Sequence, residues 1–304
     1  QSMTAPSYGE LFRVFGRIGV LSFGGPAAQI ALMHKELVEN RPWLDEQAFL
    51  RALSFCMMLP GPEAMQLATY AGWRLRGMRG GLLAGLLFVI PGALVIAALV
   101  GLYAAYGQLP LVQAVFLGVK AAVIVIVLHA LKKVAGRALK DRSAWVLAGL
   151  AFVAIFALGL PFPLIVALAG LWGFFNADTA AVPDMTLEVT QTPSMGNSVG
   201  LGISGLALWL LPLAALSWVG ADFLADVGWF FAKLAVVTFG GAYAVLAYMT
   251  QTVVQHYAWI STGQMIDALG LAETTPGPLV LVNVFVGFQA GFGTGAPFSP
   301  TMGG

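Results

Sequence analysis

Residues 80–106 run for 27 positions without an acidic or basic side chain. A bilayer core about 30 Å thick is crossed by ~20 apolar residues of helix, so this run is long enough to span a membrane, and 111–131 and 201–218 are each about that length. Only 10% of the chain is charged and 59% is hydrophobic, with a mean hydropathy of +0.85, whereas a soluble domain carries roughly 25% charged residues. No segment shows the period-two alternation of a membrane β-strand. The sequence therefore predicts an all-α integral membrane protein, a polytopic helical bundle. Its first residues, with Pro6, Gly9, Glu10 and Arg13, lack the charged region, short apolar core and small-residue cleavage site of a secretory signal. The first hydrophobic segment is read as retained. A single cysteine, Cys56, allows neither an internal disulfide nor a multi-thiolate metal site.

Two hydrophobic segments are interrupted, the first by Phe23-Gly24-Gly25-Pro26 and the next by Pro60-Gly61-Pro62. Both interruptions recur. At an offset of 216 residues, positions 15–62 align without a gap to 231–278, which is the signature of an internal repeat. Phe15, Phe23, Gly24, Gly25, Met33, Trp43, Pro60, Gly61 and Pro62 meet Phe231, Phe239, Gly240, Gly241, Met249, Trp259, Pro276, Gly277 and Pro278; Arg17 meets Lys233, and Ser22 meets Thr238.

Charge supplies the orientation. Fourteen of the 15 Lys and Arg residues lie at or before Arg142, and only Lys233 follows. Short cytoplasmic loops are rich in Lys and Arg. Arg74, Arg76 and Arg79 precede the 80–106 run, and Lys132, Lys133, Arg137, Lys140 and Arg142 follow 111–131, so two crossings separate two cytoplasmic clusters. The apolar run 145–175 is centred on Leu160-Pro161-Phe162-Pro163 and reads as a hairpin of two short helices, because proline breaks the hydrogen-bond ladder and restricts the residue before it. Counting crossings from there gives an N-terminal repeat over 8–176, an acidic, polar cytoplasmic linker over 177–200, a connecting transmembrane helix over 201–220, and a second, incomplete repeat over 221–304. The second repeat then starts outside, the first inside. Inverted-topology repeats with discontinuous helices are the expected build, as in many secondary transporters.

Non-helical backbone survives inside a bilayer only where protein or a polar cavity satisfies it. Pro26, Pro62 and Pro278 suit the first position of a new half-helix, whose free amides and positive dipole end attract anions. The candidate substrate-binding residues are therefore Arg17, Ser22, Gly24, Gly25, Gln29, Gly61 and Gln66 in the first repeat, with Lys233, Thr238, Gly240, Gly241, Thr275, Gly277 and Asn283 in the second. Glycine pairs also permit close helix packing, and Arg17 and Lys233 can snorkel to the interface instead. Glu63 and Glu273, beside the two Pro-Gly-Pro breaks, are candidates for proton coupling, or for capping. Arg51 and Asp267 occupy equivalent positions and could pair. His34 and His256 suit interfacial or capping roles. No HExxH, CxxC, Walker P-loop or strand-borne GxGxxG is present; neither enzyme activity, nor a cofactor or metal, nor nucleic-acid binding is expected.

At these residues the sequence resembles the chromate ion transporter (CHR) family. Phe15-Gly16-Arg17, Ser22-Phe23-Gly24-Gly25-Pro26 and Leu59-Pro60-Gly61-Pro62-Glu63 with Gln66 look like its N-terminal signature. Thr238-Phe239-Gly240-Gly241-Ala242-Tyr243 and Leu271-Ala272-Glu273-Thr274-Thr275-Pro276-Gly277-Pro278-Leu279 with Asn283 look like its C-terminal one. The resemblance implies a long-chain, two-domain member of the bacterial inner membrane, multi-pass, that exports chromate using the proton or membrane potential and confers chromate resistance. Its implied partners are a chromate- or sulfate-type anion, protons and the lipid bilayer, with a homodimer allowed. A transporter of sulfate or another oxyanion, including one for uptake, is the alternative, followed by a membrane scaffold that transports nothing. The second repeat ends soon after Gly287, so the chain is expected to be truncated.

Overall fold

The computed structural model describes residues 6–107, 109–139, 141–176, 195–238, 246 and 248–294. Gly240, Gly241 and most of the linker lie outside them. The described residues are helical, with no strand, and they divide into two units: 1–139 with 234–304, and 140–233.

The first unit begins with α1 (Tyr8–Leu21), started by a reciprocal capping box between Ser7 and Glu10; such a cap contributes about 1 kcal/mol. Ser22 ends the helix by donating its hydroxyl to Ile18 O at 2.6 Å, and Gly24 takes φ +83°, a left-handed conformation glycine enters freely. The chain then reverses into α2 (Gly25–His34), with Pro26 in its first turn. An unbroken helix would separate residues 17 and 36 by about 28 Å; instead Arg17 lies 3.9 Å from Glu36. A π-helical turn (Lys35–Glu39) leads to α3 (Glu46–Met58), which Asp45 caps through the Ala48 amide.

The first Pro-Gly-Pro separates α3 from α4 (Glu63–Tyr106). Pro62 sits one residue before the helix rather than at its first position. Non-helical backbone at Arg76 and Gly77 divides α4 into two arms, 63–75 and 78–106, folded against each other. A Cβ on Gly72 would fall 2.3 Å from the Gly80 carbonyl oxygen, so glycine is what lets the arms close. The second arm is the scaffold of the unit. Arg76 donates to Pro6 O and lies over the Tyr8 ring, while Gly19 packs on the Leu87 carbonyl, so α1 runs parallel to this arm. Pro91, inside the arm, has no amide to offer Leu87 O, and that carbonyl is the one Gly19 approaches.

Helix α5 (Pro110–Ala138) follows. The rest of this unit repeats the first part. After a π-helical turn (Gln251–His256), Ser261 caps α10 (Thr262–Thr274), and a short 3-10 turn (Leu279–Leu281) leads into α11 (Val282–Thr294). Helices α3 and α10 begin and end 216 residues apart, and so do the bonds that lead into them: Trp43 N to Leu37 O at 3.0 Å, Trp259 N to Val253 O at 2.9 Å. Tyr103 donates to Asp267 at 2.9 Å, and Gly92 packs on Pro276 O; α10 thus runs antiparallel to the second arm.

The second unit holds α6 (Arg142–Phe156) and α7 (Phe162–Asn176), the two short helices expected around the Leu160-Pro161 break, with Gly159 at φ +63° between them. Helix α8 (Met195–Trp218) starts six residues ahead of the apolar run. Trp229 on α9 (Asp222–Val237) donates to Ser217 Oγ of α8 at 3.1 Å. Among the described residues, two helical segments, Glu63–Tyr106 and Val199–Trp218, are long and apolar enough to cross a membrane.

Candidate functional site

The breaks meet each other, and they do so crosswise. Gly277 N, in the second Pro-Gly-Pro, donates to Ser22 O at 3.0 Å; Gly61 N, in the first, donates to Thr238 O at 2.7 Å. Because Ser22 and Thr238 are equivalent, as are Gly61 and Gly277, these two bonds are one bond made twice about a local two-fold. The supporting contacts double as well: Thr238 Oγ1 donates to Leu234 O at 2.6 Å, as Ser22 does to Ile18 O. Ser22 and Thr238 are buried. Gly61 and Gly277 have φ +117° and +99°, which a side chain would strain.

This junction sits halfway along the second arm. A Cβ on Gly277 would lie 3.5 Å from Gly92 Cα and 3.8 Å from Phe88 O. An arm of this length measures about 43 Å, so if it spans the bilayer the junction is near the midplane. Sequence reading overlooked Pro91-Gly92; a Pro-Gly step at the centre of a 27-residue apolar run was the available signal.

Gln29 ties the junction together. It is 1% exposed, and its Nε2 donates to Gly277 O at 2.7 Å and to Ser22 O at 3.3 Å. Gln66 does similar work at the other break, donating to Pro60 O at 2.6 Å. The side-chain oxygens of Gln29, Gln66 and Asn283 are buried without a hydrogen-bond partner. Thr275 is buried and returns its hydroxyl to Leu271 O at 2.7 Å.

The amides of Gly61 and Gly277, read as anion donors, are consumed by the crosswise bonds. The N–H groups left without an acceptor in their own helix are those of the first turns: Gly25 and Ala27 at α2, Pro26 having none, and residues 63–65 at the first arm. Arg17 is exposed and drawn to Glu36, which is 3% exposed and also bonded by Arg41; Lys233 is exposed on α9. A helix amino end is equivalent to roughly half a positive charge.

Glu63 is half-buried in the first turn of its arm, beside the Gly61–Thr238 bond, and Glu273 is half-buried one turn before the second break. Asp267 does not pair with Arg51, which is exposed; Lys120 lies 3.3 Å from it. His34 bridges Glu46 at 2.6 Å and Glu39 at 3.1 Å, clipping α2 to α3. An open groove of about 450 Å³ runs from Leu59 and Gln66 past Thr69, Tyr70 and Trp73. Its lining is almost wholly apolar, and a dianion would lose its hydration there without replacement.

These features define an all-helical membrane protein with discontinuous helices whose ends converge. The sequence profile of the chromate transporter family matches residues 9–174 and 225–299, and the chain belongs to that family. It is 34% identical to a chromate transport protein of Pseudomonas aeruginosa over 95% of this chain and 68% of that one. Identity is 32% to a chromate transport protein of Cupriavidus metallidurans, covering 94% and 69%. It is 26% to an uncharacterized transporter of Methanocaldococcus jannaschii, covering 94% and 70%. No solved structure matches the chain.

Proposed function

We propose that the protein is a secondary transporter that exports chromate, a tetrahedral oxyanion, through the junction of its broken helices, and so confers chromate resistance on a bacterium in whose inner membrane it lies as a multi-pass protein. The observation that carries the reading is the pair of crosswise bonds, Gly277 to Ser22 and Gly61 to Thr238, which gathers several helix amino ends at one place halfway along a spanning arm. Family membership supplies the substrate.

The repeats are read as inverted. Support comes from their directions of approach: the start of α3 lies near Arg17 and the Arg76 end of the second arm, through the His34–Glu46 and Arg17–Glu36 contacts, whereas α10 comes from the Tyr103 end. Both run toward the junction. Such a site can open to either face by rocking one repeat against the other.

Electrostatics favours outward movement. A dianion leaving a cell that is negative inside gains about 2.3 kcal/mol per charge per 100 mV, hence ~4.6 kcal/mol. Sulfate has the same shape and charge, and backbone amides would bind both. Chromate uptake into inside-out vesicles carrying the full-length protein, with and without a pH gradient, tests the function; accumulation of chromate is the expected result. Movement of sulfate alone would give the protein another substrate, and movement of neither would leave a scaffold.

A further inference from the structure

A second polar cluster lies away from the junction. Asp267, 2% exposed, sits in α10 eight residues ahead of Thr275, where the second break begins. Its Oδ2 accepts from Tyr103 Oη at 2.9 Å, and its Oδ1 lies 3.3 Å from Lys120 Nζ on α5. Tyr103 is itself held between Phe116 of α5 and Phe285 of α11, with ring centroids 4.7 and 5.5 Å away. The carboxylate is therefore presented to Lys120 by a rigid aromatic stack. Other titratable groups on the elements packed around it stand apart along the chain: α11 and the 279–281 turn carry none, the second arm adds Arg79 at its opposite end and the exposed Tyr106, α10 adds Glu273, half-buried near its far end, and α5 adds His129, Lys132, Lys133 and Arg137, nine or more residues beyond Lys120.

Structural need does not explain this pair. Burying the carboxylate costs several kcal/mol that a half-exposed Lys120 offsets only in part, and well-packed apolar residues commonly hold a fold as firmly. The first repeat does without it, having exposed Arg51 at the position of Asp267. Tyr103 lies 11 residues, about 17 Å, beyond Gly92 along the arm, so with the junction at the midplane the pair sits at the edge of the hydrocarbon core, where a group that takes up a proton is reached from one side.

Resting on the transporter reading, the geometry points to Asp267 as the proton-binding group of the transport cycle, with Lys120 as the cation that protonation releases. A proton arriving from one side binds Asp267 Oδ1, which faces Lys120. Lys120 keeps its own proton, so the neutral pair becomes a single positive charge, free to draw an oxyanion toward α10 and the break at its end. On the other side the carboxyl gives the proton back and the pair re-forms, so proton and oxyanion cross in the same direction, and outward movement is driven by the membrane potential acting on the net charge of −1 that remains. Tyr103 is a positioning residue that keeps its hydrogen on Oδ2 throughout.

The test uses the full-length protein in liposomes with chromate as the probe, comparing wild type, D267N, D267E and the double variant K120M/D267N. One coupled proton allows at most about tenfold accumulation per pH unit. Wild type and D267E are expected to show a pH-driven accumulation; D267N and the double variant are expected to lose it. The double variant removes both charges, so it remains informative if D267N, with Lys120 unpaired, fails to fold. Wild type and the double variant responding alike to the pH gradient would overturn the inference alone, as would wild-type flux indifferent to pH. A wild type that moves no oxyanion would overturn the transporter reading and this inference with it.

Discussion

Replacing Gln29 by Leu removes the side chain that joins the two breaks. Two bonds are lost, of unequal weight. The 3.3 Å contact to Ser22 O lies outside the usual N–H···O range, and Ser22 O keeps its bond from Gly277 N. The 2.7 Å bond to Gly277 O is the one that counts, because a buried carbonyl left unpaired costs roughly 1–3 kcal/mol. Some is returned, since the substitution also deletes a buried Oε1 that has no partner. The expected net loss is about 1–2 kcal/mol, on the order of a tenfold shift in the population of the closed junction. Gln29→Glu keeps the shape but turns donors into acceptors, and should cost more. Thermal unfolding of the purified protein and chromate flux in liposomes both read the effect. A Gln29→Leu protein as stable and as active as wild type would refute the role given to this residue.

Other expectations follow from the same geometry. Gly92→Ala would place Cβ 2.1 Å from Pro276 O; backbone cannot yield cheaply, so the unfolding temperature should fall by an amount reflecting about 1–3 kcal/mol, whereas Gly101→Ala, which meets nothing, should be neutral. His34 lies in the polar turn at the outer end of α2, and hydrogen bonding to Glu46 raises its pKa above the ordinary value. Its contribution is therefore complete below the unfolded pKa of about 6.5 and is lost as pH rises through the higher folded value; unfolding midpoints between pH 6 and 9 should show this decline in wild type and lack it in His34→Gln. Cysteines at Gln47 and Thr262, exposed near the starts of α3 and α10, should be labelled from opposite sides of the membrane by an impermeant reagent. Labelling from one side would make the repeats parallel.

The breaks were legible because their chemistry is written locally. Gly61 and Gly277 need left-handed backbone, prolines flank them, and a 216-residue offset places one on the other. Where the amides go was not legible, since a donor's partner is a matter of tertiary position: Gly277 N could serve an anion or Ser22 O, and only the fold decides. The partner of Arg17 was hidden for a related reason: the reversal at Gly24 carries Glu36 back to within 3.9 Å of it. Asp267 shows the opposite failure. Equivalence with Arg51 suggested a pair between repeats, whereas Lys120, the one Lys or Arg within 111–130, was passed over although a lone cation in an apolar run is itself the signal.

The central claim is that the amino ends of the broken helices receive an oxyanion. Ala27 lies exposed in the first turn of α2, where an acidic side chain favours the helix by about 0.3–1 kcal/mol through its dipole. The same charge would repel a dianion bound there by roughly 4 kcal/mol at ~8 Å and an effective dielectric of ~20. Chromate flux through Ala27→Glu in liposomes, measured beside its unfolding temperature, separates the two effects. The prediction is a protein at least as stable as wild type whose flux falls on the order of a hundredfold or more. Undiminished flux would mean that the anion passes elsewhere.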